Sequence, residues 1–178
     1  MPHVAVTAFG ADRPGIVAAV TKVFVERGCN LEDTSMTILR GHFAMMLVVN
    51  TPAGFTPGEL ERALEGPARD LDLVLAVRSL DESVPVSPGG DAWTVSVYGV
   101  DQPGIVHRVS RLLADESVNI VDLTTRVIGD PAHPAYAMLL EVTVPPGLDL
   151  AAFRARLTEL ADALGVECSL HESEADIL

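Results

Sequence analysis

Short β-branched runs alternate with amphipathic stretches along the chain, and this pattern predicts strands and helices in turn. The segment His3–Phe9 is typical of a strand, and Gly10 ends it. Apolar residues then recur at helical spacing up to Gly28, and they predict a first helix: Ile16, Val20, Val23 and Phe24. Asp12 stands at the expected N-cap of this helix, with Pro14 in its first turn.

Two more strands, a second helix and a last strand complete this unit. Leu31–Arg40 and His42–Asn50 predict a hairpin, and the second run is apolar enough to lie centrally in a sheet. Thr56 and Glu59 have the spacing of a capping box, which starts the second helix. Leu73–Leu80 is the final strand. The order β-α-β-β-α-β indicates an α+β, ferredoxin-like unit, with an antiparallel sheet and both helices on one face.

The whole unit occurs twice. The motif DRPGIV of Asp12–Val17 returns 89 positions later as DQPGIV of Asp101–Val106, and Gly28–Asp33 returns at the same offset as Ser117–Asp122. Farther along, the offset grows to 93, so the second copy has four extra residues in a Pro- and Gly-containing turn at 129–134. The elements of the second copy are Trp93–Val100, Pro103–Asp115, Asn119–Ile128, Ala135–Val144, Leu150–Leu164 and Val166–His171. We therefore expect unit 1 at 1–80, a polar linker at 81–91, unit 2 at 92–171 and an acidic tail at 172–178.

Composition narrows the class of protein. Hydrophobic residues make up 48% of the chain but aromatic residues only 4%, so both cores must be aliphatic, with the methionines Met36, Met45, Met46 and Met138 as expected filler. The net charge of -13 repels phosphate backbones and argues against direct nucleic-acid binding. No apolar run approaches the roughly 20 residues that span a bilayer. Cys29 and Cys168 are expected as small buried hydrophobes rather than a disulfide, in a cytoplasmic protein.

Catalytic and metal-binding chemistry finds little support in the sequence. The five histidines are scattered, and none forms a pair or cluster with the spacing that zinc prefers. Gly15 and Gly104 are single glycines at a helix start, not part of a glycine-rich phosphate loop. We therefore expect no enzyme, no cofactor and no metal.

Both copies instead present the same possible ligand site. Backbone amides at a helix start attract an anion such as a carboxylate, and the glycine there permits close approach. An asparagine at the start of the second strand offers a donor and an acceptor, and nearby aspartates could receive an ammonium group. The candidate residues are Asp12, Gly15, Asn30, Asp33, Asp101, Gly104, Asn119 and Asp122. A purely structural reading, with the aspartates as caps and the asparagines as turn residues, stays open beside this one.

The repeated D-x-P-G-I-V motif, the element order and the unit length resemble those of ACT domains, which are regulatory modules. The resemblance implies that units pair side by side through the first helix and second strand, and that amino acids bind in the groove between paired units. It implies that such grooves are lined by Asp12, Gly15 and Asn30 and by Asp101, Gly104 and Asn119. The copies differ at Arg13 against Gln102, Gly28 against Ser117 and Glu32 against Val121, so the two sites need not be equivalent.

These observations favour a non-catalytic, homodimeric regulatory protein that binds a small amino acid, glycine or serine before others. It would act through a transcription factor or an enzyme, with no direct contact to nucleic acid or membrane. The alternative is an assembly module, in which the paired units regulate an enzyme in trans without binding an amino acid.

Overall fold

The chain forms two compact units, Met1–Val84 and Pro85–Leu178. A computed structural model describes residues 3–80, 89–130 and 133–173. Most of the expected linker and tail, at 81–88 and 174–178, lies outside the described residues.

Unit 1 has the predicted order of elements. They are β1 (His3–Ala11), α1 (Ile16–Glu26), β2 (Asn30–Leu39), β3 (His42–Asn50), α2 (Pro57–Leu71) and β4 (Leu73–Ser79). The four strands form an antiparallel sheet in the order β2-β3-β1-β4. The α+β, ferredoxin-like prediction is confirmed.

Unit 2 repeats this topology with a longer hairpin. Its elements are β5 (Asp91–Val100), α3 (Ile105–Asp115), β6 (Asn119–Asp130), β7 (His133–Val144), α4 (Leu150–Leu164) and β8 (Val166–Glu172). The sheet order is β6-β7-β5-β8. The extra residues lengthen the strands, since Gly129 pairs with Pro134 and Asp130 with His133. Residues 131–132, in the expected turn, lie outside the described residues.

Each sheet buries one face beneath its helices. Along β3 every second residue is buried, from Phe43 to Val49, and the matching residues of β1 join them because paired strand residues share a face. Met45 and Met138 lie in these cores as expected. Met36 and Met46 are about half exposed, so the prediction that they fill the core is wrong. Cys29 and Cys168 are free and partly buried against their cores. Among the described residues, neither helix of a unit covers the opposite face of that unit's sheet.

The starts of α1 and α3 differ from the prediction. The N-caps are Gly15 and Gly104, both at φ 97° in the left-handed region, and neither helix has a side-chain cap. Asp12 as N-cap and Pro14 in the first turn are therefore wrong. Asp12 lies three residues earlier, where its backbone N–H donates to the Gly41 carbonyl over 2.9 Å. A glycine turns the chain into the helix here because only a residue without Cβ adopts this φ at little cost.

The same two helices end in matching motifs. After α1, Gly28 and Cys29 donate backbone hydrogen bonds to Val25 and Phe24, which is a Schellman motif. After α3, Ser117 takes the place of Gly28, at φ 57° against 66°. Unit 2 therefore keeps the geometry of the motif with a residue that has a Cβ.

Candidate functional site

The starts of α1 and α3 leave their first-turn amides without a side-chain acceptor. The other two helices are capped. The Thr56 hydroxyl accepts from Glu59 N–H over 3.3 Å, in the predicted capping box, and the Asp149 carboxylate accepts from Ala151 and Ala152 over 3.0 and 3.1 Å. Uncapped amides together with the helix dipole favour an anion. Within the described chain, the two helix starts that the sequence singled out are those that still need an acceptor.

A depression lies beside each uncapped helix start. The depression in unit 1 has a volume of about 510 Å³ and is lined by residues that include Asp12, Gly15, Ile16, Val17, Met36 and Phe43. The one in unit 2 has about 460 Å³ and is lined by residues that include Asp101, Gly104, Ile105, Val106, His107 and Tyr136. Each combines apolar walls, backbone amides and one carboxylate. This lining suits a small molecule with an anionic end and a short body.

The two depressions differ in polarity. Tyr136 stands where unit 1 has Phe43. Burial raises the pKa of the Tyr136 hydroxyl above its usual value. A hydrogen bond with Thr125 lowers this pKa, and the nearby Asp101 carboxylate raises it further. The hydroxyl therefore stays protonated at neutral pH and can donate to a ligand.

The predicted asparagines lie at the other end of each unit. Asn30 pairs with Asn50, and Asn50 pairs with His3, at the start of β1. Gly15 follows the end of β1, and the 11-residue α1 alone covers about 16 Å between these ends. Asn30 and the depression at Gly15 therefore do not share one groove within unit 1, and the same holds for Asn119 and Gly104.

The register also decides which face the acidic candidates occupy. Asp33 pairs with Val48 and Asp122 with Glu141, both on the face away from the helices. Asp12 and Asp101 lie in the loops before α1 and α3. Asp33 and Asp122 are therefore separated from the depressions of their own units.

A polar cluster at the Asn30 end was not predicted. The Glu32 carboxylate lies 3.0 Å from His3 Nε2 and accepts from Asn50 Nδ2 over 3.2 Å. Glu32 reaches both because it is the extra residue of a β-bulge between Leu31 and Asp33. Asn50 Oδ1 is buried and has no hydrogen-bond partner among the described residues. The repeat comparison marked Glu32 as different from Val121, but only the strand register brings His3 and Asn50 to it.

Unit 2 has the same bulge without the cluster. The bulge lies between Ile120 and Asp122, with Val121 as the extra residue. The positions that match His3 and Asn50 are Ala92 and Thr143, which pair with each other in the same way. The two asparagine ends are therefore chemically unequal, with a carboxylate beside Asn30 and an isopropyl group beside Asn119.

The edge strands β2 and β6 expose apolar side chains on the helix-facing side. Leu31, Met36 and Ile38 pair with buried residues of β3 but are themselves 38 to 50% exposed. Leu123 and Val127 of β6 are exposed in the same way. Strand edges with exposed apolar side chains are open to pairing with another strand.

The described part of the chain also bears on metal binding and on membrane crossing. Residues 3–80, 89–130 and 133–173 contain no group of three or more His, Cys, Asp or Glu side chains placed to hold a metal ion. No helix within those ranges combines the length and the apolar character that crossing a membrane requires.

The fold and the paired helix starts define the class of protein. Models of the ACT domain match residues 3–78 and 93–156, one in each unit. The chain belongs to the ACT-domain family and carries two ACT domains in tandem.

Among individual proteins, the chain is similar to the glycine cleavage system transcriptional repressor of Escherichia coli strain K12. The two are 32% identical over 167 residues, which cover 89% of this chain and 85% of that protein. It is also 26% identical to a phosphoserine phosphatase of Mycobacterium tuberculosis over 95% of this chain but 40% of that enzyme. A crystal structure of an unknown protein from Galdieria sulphuraria has a TM-score of 0.84, with 27% identity over 97% of this chain and 99% of that one. The protein is therefore a regulatory ACT-domain protein, homologous to the glycine cleavage system transcriptional repressor.

Proposed function

We propose that this protein is a non-catalytic sensor of glycine or serine that regulates transcription of glycine metabolism through a protein partner. The main support for this proposal comes from the helix starts. Among the described helices, only α1 and α3 start at a left-handed glycine without a side-chain cap. Their amides suit the carboxylate of an amino acid. Two relatives are named for a glycine cleavage system and for phosphoserine, and these names favour a small amino acid.

The binding site is completed by a second unit. Pairing β2 antiparallel with the corresponding edge strand of another unit brings the helix start of one beside the asparagine end of the other. The helix amides then hold the carboxylate, and the asparagine amide fixes the orientation of the ligand. The exposed edges of β2 and β6 support pairing of this kind with a second chain.

Glu32 makes the two kinds of site unequal. A site that contains Asn30 has a carboxylate beside it that can accept a hydrogen bond from the ligand ammonium group, and a site that contains Asn119 has Val121 instead. We therefore expect the Asn30 site to bind the amino acid more tightly. Charge-assisted hydrogen bonds are roughly twice as strong as neutral ones.

Calorimetric titration with glycine and serine tests this proposal. Acetate lacks the ammonium group and glycinamide lacks the carboxylate, so both should bind far more weakly. At a ligand concentration of about 100 times Kd, one site adds roughly 2.7 kcal/mol, which raises Tm by about 5 to 10 °C for a chain of this size. If none of the twenty amino acids gives heat or moves Tm at millimolar concentration, the assembly module is the better function.

Asn30→Ala and Asn119→Ala form a matched pair of variants for the site. Asn30→Ala should remove the tighter binding step, and Asn119→Ala should leave that step in place. Substitution of Gly15 or Gly104 is a poorer test, because φ 97° makes any side chain strained there although no atom lies within 4 Å of the added Cβ. Equal effects of the two asparagine variants would contradict the assigned role of Glu32.

The partner is a protein because the charge of -13 opposes contact with DNA. Electrophoretic or fluorescence assays with the pure protein should find no sequence-specific duplex binding at about 0.15 M salt. Sub-micromolar specific binding would refute action through a partner.

A further inference from the structure

One face of the unit 1 sheet is not covered by α1 or α2; it is here called the open face, and it is largely apolar. Phe9, Met46 and Val74 project from it and are 52, 54 and 71% exposed. Side-by-side pairing of edge strands extends a sheet but covers neither of its faces. Edge pairing would therefore leave the centre of the open face available for another contact.

The strand register arranges this face in rows that cross β2, β3, β1 and β4. The three central rows are Asp33, Val48, Ala5 and Arg78; Ser35, Met46, Thr7 and Ala76; and Thr37, Ala44, Phe9 and Val74. In each row a large residue on β3 or β1 has a small one beside it on the other strand. The first row has a carboxylate at one end and a guanidinium at the other.

We propose that the open face of unit 1 packs against the open face of unit 1 in a second copy, about a twofold axis close to the strand direction. This rotation places β3 over the second copy's β1, and β2 over its β4. Each row of one copy then lies over the same row of the other copy. Met46 then faces the second copy's Thr7, and Phe9 faces its Ala44. Large side chains meet small ones across the interface, as interdigitation of two sheets about 10 Å apart requires.

The charges agree with this axis. Asp33 meets the second copy's Arg78, and the twofold repeats the pair at the opposite edge. Neither side chain has an ion-pair partner among the described residues, and both are exposed. A twofold axis across the strands would instead place Met46 on Met46 and Arg78 on Val74, which gives worse packing and no charge pair.

Unit 1 of a second copy fits this surface better than unit 2 of a second copy does. The equivalent face of unit 2 has Arg126 and Glu141 at positions that would lie over Val74 and Ala5. Packing unit 1 on unit 2 of a second copy would desolvate these two charges against apolar side chains, which is unfavourable. In the three central rows, packing unit 1 on unit 1 desolvates no charge without an opposite charge facing it.

The size of the face predicts a weak dimer. Four strands of about nine residues cover roughly 19 by 30 Å, or about 570 Å² in projection. Stable interfaces bury about 800 Å² per partner. We therefore expect a dissociation constant in the micromolar range. This association step is distinct from any pairing through β2 or β6.

Charge reversal tests the interface with the full chain in sedimentation equilibrium. Asp33→Arg and Arg78→Asp should each raise the dissociation constant of one association step roughly tenfold, since each removes two ion pairs and creates two repulsions. The double variant Asp33→Arg/Arg78→Asp should restore it to within about threefold of the parent value, because the twofold again places opposite charges together. Matched controls are Asp70→Arg and Arg69→Asp on α2, with the same charge changes on exposed side chains of the helical side.

Reciprocal packing variants give a second, independent test. Phe9→Ala should weaken the same step, and Phe9→Ala/Ala44→Phe should recover it by exchanging the large and small partners. The proposal is overturned if neither double variant restores association, if the α2 controls weaken it equally, or if the single reversals leave it unchanged.

Discussion

Replacement of Ser117 by glycine should stabilise unit 2. Ser117 follows α3 at φ 57°, where a residue with a Cβ carries about 1 to 2 kcal/mol of strain. Glycine removes the strain but gains more freedom in the unfolded chain, an opposing effect of roughly 0.5 to 1 kcal/mol. The net expectation is a gain of about 0.5 to 1 kcal/mol. If unit 2 unfolds on its own, this raises its Tm by about 2 to 8 °C.

The reciprocal variant Gly28→Ser is the matched control. Gly28 has φ 66° in the same Schellman motif of unit 1, and the nearest atom to an added Cβ is 3.7 Å away, so no clash intervenes. It should therefore destabilise unit 1 by a similar amount. Scanning calorimetry and urea unfolding measure both variants. A stability loss in Ser117→Gly, or no loss in Gly28→Ser, would refute the reasoning from backbone strain.

Two further predictions concern titrating side chains. Hydrogen bonds from Thr56 hold the pKa of Glu59 below its usual value, so the stabilisation it gives is present above the unfolded pKa and is lost as pH falls through the folded pKa. The Tm difference between the parent and Glu59→Gln should therefore be larger at pH 7 than at about pH 3, and a difference that does not change with pH would contradict this. Burial raises the pKa of the Cys168 thiol to about 11, so iodoacetamide at pH 8 should modify Cys168 in the folded chain far more slowly than after unfolding. Mass spectrometry measures the rate of modification, with Cys168→Ser as the control that identifies the modified thiol. Equal rates in the folded and unfolded states of the parent would show that the thiol is not protected.

The sequence predicts the elements well because their signals are local. The period of apolar residues, the capping box at Thr56 and the repeat offset all lie within short windows, and both units follow them. The predicted starts of α1 and α3 are wrong in both units for the same reason. Asp12 and Asp101 have the chemistry of an N-cap, but a left-handed glycine three residues later fixes where the helix begins.

The candidate site was predictable in composition but not in arrangement. The glycines and asparagines are close in sequence, yet the helix between them carries the chain from one end of the sheet to the other. The cluster of His3, Glu32 and Asn50 joins three strands through a bulge, and nothing in a linear pattern of residues reports a bulge. Contacts of that kind depend on strand register.

The bulge in β2 and β6 also bears on how the two units can differ. It occurs at Glu32 and again at Val121, 89 positions apart, in the same offset as the opening motif. Two side chains without common chemistry occupy the same irregularity of the backbone in the two units. Because the bulge leaves its extra residue exposed in both units, one substitution at that position can make one unit acidic there and leave the other neutral. The two halves could diverge in recognition without any change in fold.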